Sequence, residues 1–393
     1  NKFFLVRSQT NFHKITPSAL PYLFNFDFFK PIINKINAPY IKYFGNSIMS
    51  SKNINTFVLK RIMLKFEIES EVFKIQTDKN FLQYKIGGLL YMPAFQRNIV
   101  EKIKKDSIKN LTSIAFDLED SIRDEKLSDA EETLEIILQD LKILNKNLPL
   151  IFIRIRSPQH LKAIHEKFSG FTEIITGYVL PKFDLNNAEN YVAAITEINL
   201  NRAAPIYFMP IFETENIAET ENLIEIKNLL ESVQDFILNI RVGVNDLSNI
   251  YGLRWNYNHT VYDIGVVRDI LINILKIFSK DYVVAGSVWN YFGDEKNLAW
   301  ADGLKKELNL DKLNGFIGKS AIHPSQLPYI FDSLKVTQSD LNDAEQILNW
   351  SSDSHGVAKV SGRMNELKCH YKWAEKIKIL SEIYGVQNDK NLV

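Results

Sequence analysis

One cysteine in 393 residues, Cys369, leaves no internal disulfide to be formed, and the compartment expected for such a chain is reducing and cytoplasmic. Net charge is lacking too: 47 Lys and Arg balance 47 Asp and Glu, so no general affinity for nucleic acid is expected. No apolar run reaches the roughly 18 residues that a membrane-crossing helix needs. The opening Asn1 to Arg7 is too brief for the apolar region of a signal peptide. The expectation is a soluble protein with no membrane partner. No Gly-x-Gly-x-x-Gly follows a strand-like run, which removes the usual sign of dinucleotide binding. There is also no Cys cluster, paired His or His-x-x-x-His of the kind that holds zinc.

What is present is an ordinary globular composition, 46% hydrophobic and 24% charged, long enough for one barrel of about 250 to 300 residues with appendages, or for two ordinary domains. Residues 1–80 are rich in Phe, Tyr, Asn and Lys, and Pro17, Pro21, Pro31 and Pro39 interrupt any long helix. They read as an irregular extension whose aromatics, Tyr22, Phe24, Phe26, Phe28 and Phe29, pack on the main domain or on a second subunit.

From about residue 85 the pattern changes to short apolar runs separated by amphipathic segments, the sign of parallel βαβ units. Eight runs can be counted: Gly87 to Pro93, Ile114 to Asp120, Leu150 to Arg156, Ile175 to Lys182, Ile206 to Glu213, Ile240 to Asp246, Tyr282 to Ser287 and Phe316 to His323. Between them lie helical stripes such as Ser128 to Leu144, Asn216 to Leu230 and Val266 to Phe278. Eight strands alternating with helices is the count of a closed (β/α)8 TIM barrel, here placed at residues 81–335. An open doubly wound sheet is the alternative. Residues 336–393 form a C-terminal helical extension, with helices around Asp340 to Trp350 and Met364 to Tyr384.

In such a barrel the chemistry sits at the carboxyl ends of the strands. Those ends carry Asp117, Glu119 and Asp120; Arg154 and Arg156; Lys182; Glu213; Asn245 and Asp246; and Lys319 and His323. Each alone is read more readily as a helix cap or a solvated loop residue than as a site residue. Brought round one mouth, several carboxylates repel unless cations compensate. The four basic side chains supply fixed charge, and oxygen-only ligands favour a hard dication, Mg²⁺ or Mn²⁺, held by one or two carboxylates and water.

At these residues the chain resembles the citrate lyase β-subunit family, within the wider superfamily of metal-dependent aldolases and malyl-CoA-type lyases. The likeness runs in order over roughly residues 86–385. Leu90-Tyr91-Met92-Pro93 is similar to the family's Leu-Phe-Val-Pro, Asp117-Leu118-Glu119-Asp120-Ser121-Ile122 to Asp-Leu-Glu-Asp-Ala-Val, and Ile153-Arg154-Ile155 to Val-Arg-Ile. Pro181-Lys182, Glu213-Thr214 and Gly243-Val244-Asn245-Asp246-Leu247 fall in place, and Gly315 to Gln326 matches the family's closing motif. The resemblance implies that Glu213 and Asp246 bind Mg²⁺, that Arg154 binds the carboxylate of an oxo acid, and that Glu119 and Asp120 orient the ion through its waters. Gly362-Arg363-Met364-Asn365-Glu366 is similar to the family's Gly-x-Met-x-Asp, so Glu366 would be the general acid/base, offered to a neighbouring subunit of a homo-oligomer, a trimer or hexamer. Departures are Gly87 and Glu131 where the family has arginine, and Glu366 where it has aspartate. With Asn245 to Trp255 these features resemble a divergent branch found with bacterial tellurite and stress-resistance systems.

The function so implied is Mg²⁺-dependent cleavage or formation of a carbon–carbon bond in a β-hydroxy carboxylic acid, or in its CoA or acyl-carrier thioester, through an enolate. Arg154, Glu119, Asp120, Glu366 and Lys182 are the catalytic candidates; Arg154, Arg156, Lys319 and His323 are the substrate-binding ones. His323 is read equally as a loop-fixing residue, and Lys182 as an electrostatic group before a Schiff-base lysine. Other pyruvate-enolate or phosphoenolpyruvate chemistry, and a catalytically silent binding subunit of a larger assembly, are the competing readings. Trp289, Trp300 and Trp350 are read as packing residues.

Overall fold

The computed structural model describes residues 78–388, apart from 145–146, 294–297, 350–356 and 361–362, with the backbone alone for Val357–Val360. The expected N-terminal extension up to residue 77, its aromatic cluster, Trp350 and Gly362 lie outside the described residues.

Seven strands form one parallel sheet: β1 (Gly88–Pro93), β2 (Ser113–Asp117), β3 (Leu150–Arg154), β4 (Ile175–Leu180), β5 (Tyr207–Phe212), β6 (Arg241–Val242) and β7 (Lys319–Ala321), in the order β6-β5-β4-β3-β2-β1-β7. The run Tyr282 to Ser287 fills the remaining gap. It meets β6 through the parallel bridge Ile240–Val284 and β7 through Gly286–Lys319. Backbone bonds from Ile240 N to Val283 O and from Ile317 N to Val284 O, both 2.9 Å, carry the pairing round. The ring therefore closes on eight strand positions, the expected number, but its seventh member is joined by single bridges.

Alternation along β5 shows why closure is stable. Tyr207, Met209 and Ile211 join Leu89, Ala115, Phe152, Val179 and Leu238 in the inner core. Phe208 and Phe212 face the surrounding helices with the larger outer core. Burial on both faces is what makes the runs continuously apolar. Helix α1 (Lys79–Lys85) sends Leu82, with the following Ile86, into the inner core at the amino end of the strands.

The outer ring is α2 (Asn98–Lys104), α3 (Leu127–Ile143), α4 (Pro158–Lys167), α5 (Ala188–Asn199), α6 (Thr220–Glu231), α7 (Val244–Ile250), α8 (Gly265–Phe278), α9 (Ala299–Asn314) and α10 (Leu327–Ser333). In α3, Ala130, Leu134, Ile137, Leu138 and Leu141 make the buried stripe that the spacing predicts. Beyond the barrel, β8 (Val336–Thr337) pairs with β11 (Val386–Gln387), and α11 (Gln338–Leu348) packs on α12 (Leu367–Tyr384). Between those helices lies the hairpin β9 (Val357–Val360) and β10 (Arg363–Glu366). The helix expected from Met364 thus begins at Leu367, because Arg363–Glu366 is committed to the hairpin.

Two expectations change at the strand ends. Asn245 and Asp246 are not on the sixth strand: β6 stops at Val242, and both lie in the first turn of α7. Lys319 is not at the carboxyl end of the eighth strand but opens it, beside Gly88.

Candidate active site

The carboxyl end of β2 supplies the acidic loop, and its shape is set by Asp117. That buried carboxylate accepts the amides of Glu119 at 2.9 Å and Ser121 at 3.2 Å, which folds the chain back over the strand end. From the end of β3, Arg154 meets it with two parallel bonds, Nε to Oδ1 and Nη2 to Oδ2, each 2.7 Å. Such a fork is geometrically specific. Its remaining edge, Nη1, lies 2.9 Å from Glu119 Oε2 and 2.8 Å from Asp120 Oδ2. Burial favours the neutral form of Asp117, but Arg154 outweighs it and holds the carboxyl below the usual range.

Arg156 was expected to bind substrate, and the structure gives it other work. Its Nε donates to Leu118 O at 2.6 Å, and its two Nη atoms reach Ile122 O and Asp124. These bonds clamp the loop that presents Glu119 and Asp120. With its donors spent on backbone and Asp124, Arg156 is a loop anchor.

Lys182 follows β4 with φ 50, a left-handed backbone rare outside glycine. The turn aims two groups in two directions. Its amide donates to Glu213 Oε1 at 2.8 Å, while its ammonium reaches Glu119 and, at 3.2 Å, Asp120. Burial disfavours its charge, yet Glu119 and Asp120 prevail and hold the ammonium well above its ordinary value. A lysine kept protonated is a poor nucleophile, which supports the electrostatic reading over a Schiff base.

Glu213 follows β5 and is 4% exposed. Gly243 faces it, and a Cβ there would overlap Glu213 Oε2. Glycine is therefore required to leave the carboxylate its space. Burial, then the charge of Asp246, push the Glu213 carboxyl up to about 8, against the Lys182 amide and the charges of Arg154 and Lys182. Half-buried Asp246 is raised as well, by burial first and by Asp120 second. Glu119 is raised chiefly by burial, whereas Asp120 is lowered, its bond to Glu119 and the nearby cations outweighing its own burial. Two raised carboxylates, the charge of Asp246 acting on Glu213, with no basic side chain paired to Glu213 among the described ion pairs, are a donor set that favours a cation.

The donor set fits a hard ion. Among the described residues no group of three or more His, Cys, Asp and Glu side chains is placed to hold a metal ion. Two carboxylates with the other positions left to water and ligand oxygens is the arrangement magnesium commonly takes.

Three expected site residues are not brought to this cluster. Lys319 is fully buried, its ammonium 2.7 Å from Glu307 and 2.8 Å from Asp311 on α9, so it cannot be a substrate-binding residue. Opening β7 rather than closing it, the side chain is enclosed behind the barrel wall. His323 stacks on Phe292 with centroids 4.6 Å apart, and its Nδ1 meets Ser325 Oγ at 2.9 Å and the Ser325 amide at 3.2 Å. That is the loop-fixing arrangement. Glu366 ends β10 and precedes α12, its amide donating to His370 Nδ1 at 3.0 Å; no described hydrogen bond or ion pair joins it to the mouth. Gly87 proves to be a packing position: φ is 59, and a Cβ would lie 2.7 Å from Tyr384 Oη. Glu131 pairs with Lys167 and His160 on the outer face.

Sequence reasoning missed two residues beside this cluster. Tyr91 of β1 lies partly exposed against two guanidinium groups, 5.3 Å from Arg154 and 5.9 Å from Arg241. Arg241 of β6 is 1% exposed inside the barrel. The signal was a lone charge within an apolar strand run.

A model of the carbon–carbon bond lyases of the TIM-barrel fold matches residues 80–386. Among solved structures, the protein CitE from Mycobacterium tuberculosis in complex with magnesium, acetoacetate and coenzyme A aligns over 75% of this chain and 98% of its own, with 20% identity and a TM-score of 0.51. A citrate lyase from Burkholderia xenovorans LB400 aligns over 77% of this chain and 94% of its own, with 14% identity and a TM-score of 0.57. Among curated proteins none matches in sequence.

Proposed function

Because the chain belongs to the carbon–carbon bond lyases of the TIM-barrel fold, we propose that its mouth cleaves or forms a carbon–carbon bond in a β-hydroxy carboxylic acid, or in its CoA or acyl-carrier thioester, with Mg²⁺ held by Glu213 and Asp246. The observation that carries this reading is the buried carboxylate of Glu213, given its space by Gly243 and left without a basic side-chain partner while Lys182 and Arg154 are drawn to Glu119, Asp120 and Asp117. When bound, the ion would act as a Lewis acid on an oxo-acid oxygen and stabilise enolate charge.

The chain's own residues prepare the rest. The Lys182 amide fixes one oxygen of Glu213 and leaves the other directed toward Gly243. Arg154 and Arg156 hold the acidic loop in place, so that Glu119 and Asp120 stay at the rim. Glu119, whose proton affinity burial raises, holds or moves a proton beside the ionised Asp120 and the protonated Lys182. Glu366 is kept as a proton donor only for a neighbouring subunit, in keeping with its lack of a described link to the mouth of its own chain.

The reading is tested by binding and turnover together. Mn²⁺ should bind one site per chain, and Glu213→Gln or Asp246→Asn should abolish it. Malyl- or citramalyl-type thioesters should be cleaved and phosphoenolpyruvate left untouched. Tight Mn²⁺ binding with turnover of phosphoenolpyruvate alone, or with no oxo acid or thioester consumed, would replace this reading by one of its competitors.

A further inference from the structure

Arginine presents five N–H donors and no acceptor, and the two arginines that flank Tyr91 use theirs very differently. All three nitrogens of Arg154 are bound to Asp117, Glu119 or Asp120. Arg241 donates Nη2 to Ser320 Oγ at 2.7 Å and is in side-chain hydrogen-bond range of Tyr91, while Nε and Nη1 are buried with no hydrogen-bond partner. No acidic side chain pairs with it among the described ion pairs. Burying a charge in this way is costly unless an anion completes it.

We propose that Arg241 is a carboxylate receptor of the active site: the carboxylate of a short oxo acid enters beside Tyr91 and accepts from Arg241 Nη1. The assignment rests on the lyase reading above for the nature of the ligand. Its position fits. Arg241 is the register partner of Ile211, and Glu213 stands two residues further along the same face of that strand end. The two layers are thus about 7 Å apart along the strand, within reach of a three- or four-carbon oxo acid held between Arg241 and the acidic rim. Tyr91, partly exposed and in contact range of both guanidinium groups, marks where the mouth meets the interior. Ser320 holds the guanidinium through Nη2 and leaves Nη1 for the ligand.

The experiment measures pyruvate binding to the Mg²⁺-loaded protein by calorimetry, Mn²⁺ binding without pyruvate by electron paramagnetic resonance, and thermal stability, in the wild type, Arg241→Met and Arg241→Lys. The expected result is a loss of pyruvate affinity of about 10- to 100-fold in Arg241→Met, as for one charge-assisted bond, with Mn²⁺ affinity unchanged. The melting temperature should change little, because loss of the Ser320 bond is offset by removal of an uncompensated buried charge. Arg241→Lys should retain part of the affinity and serves as the measurement if the methionine variant fails to fold. Pyruvate bound equally by the wild type and both variants overturns the assignment and leaves the lyase reading intact. Parallel loss of Mn²⁺ affinity and melting temperature makes Arg241 structural and also overturns it. A wild type that binds neither Mn²⁺ nor pyruvate overturns the lyase reading itself, and the assignment with it.

Discussion

Replacing Glu213 by glutamine keeps the size of a buried carboxylate and removes its titration. In the metal-free wild type, Glu213 stands 4% exposed with its carboxyl raised from 4.5 to about 8. A carboxyl raised by folding stabilises the native state fully below its unfolded pKa, and that stability is lost as pH rises through the folded value. The relevant window is therefore pH 4.5 to 8. Between pH 5.5 and pH 8, one proton linked over these two values costs roughly 3 kcal/mol at 1.36 kcal/mol per unit. For a fold of this size that amounts to a fall of roughly 5 °C in melting temperature. Histidines with lowered values, such as His160 and His165, act in the opposite sense, so the quantity to measure is the difference between wild type and Glu213→Gln. Differential scanning fluorimetry of both metal-free proteins across pH 5.5 to 9 should show wild type losing ground to the variant as pH rises. Saturating Mg²⁺ should restore only the wild type, and most strongly at high pH, where the ion no longer competes with a proton. Curves that stay parallel across the range would refute the claim that Glu213 is a buried, proton-holding carboxylate awaiting a cation.

Three further outcomes follow from the same geometry. Lys319→Met leaves Glu307 and Asp311 buried without their cation and should cost about 3–5 kcal/mol in chemical denaturation, with Mn²⁺ affinity at the mouth unchanged; loss of the metal site would return Lys319 to the active site. Gly243→Ala forces a methyl group against Glu213 and should lower Mn²⁺ affinity at least about tenfold while the far-ultraviolet circular dichroism spectrum is retained. Arg156→Ala releases Leu118, Ile122 and Asp124, so amide exchange of residues 118–124 should quicken as the loop's opening free energy drops by about 2 kcal/mol; unchanged protection would mean that Asp117 alone sets the loop.

The barrel was legible because strands buried on both faces leave uninterrupted apolar runs, and even the weakly paired Tyr282 to Ser287 was visible by that rule. Strand ends were less so. Val244–Ile250 carries no residue that forbids a helix, and α7 begins directly after Gly243, a change from period 2 to period 3.6 too short to read within Ile240 to Asp246. The residues gathered at the mouth, Asp117, Glu119, Asp120, Arg154, Lys182 and Glu213, were legible by position, since barrel closure gathers strand ends whatever their partners. Position also misled. Arg156 and Lys319 were counted as free cations because a sequence shows charge and not who claims it. For Lys319 a clue existed in Glu307 and Asp311, four residues apart on one helix face just upstream. Arg241 was overlooked for the converse reason, a charge inside a strand being absorbed into the description of the run.

The loosely paired seventh strand gives the Arg241–Ser320 bond a second meaning. Its donor stands on β6 and its acceptor on β7, the two strands that flank Tyr282 to Ser287, so one side chain ties across the least reinforced part of the wall. A molecule seated on Arg241 would lean on that tie. Amides of Tyr282 to Ser287 would then report the state of a site to which they do not belong.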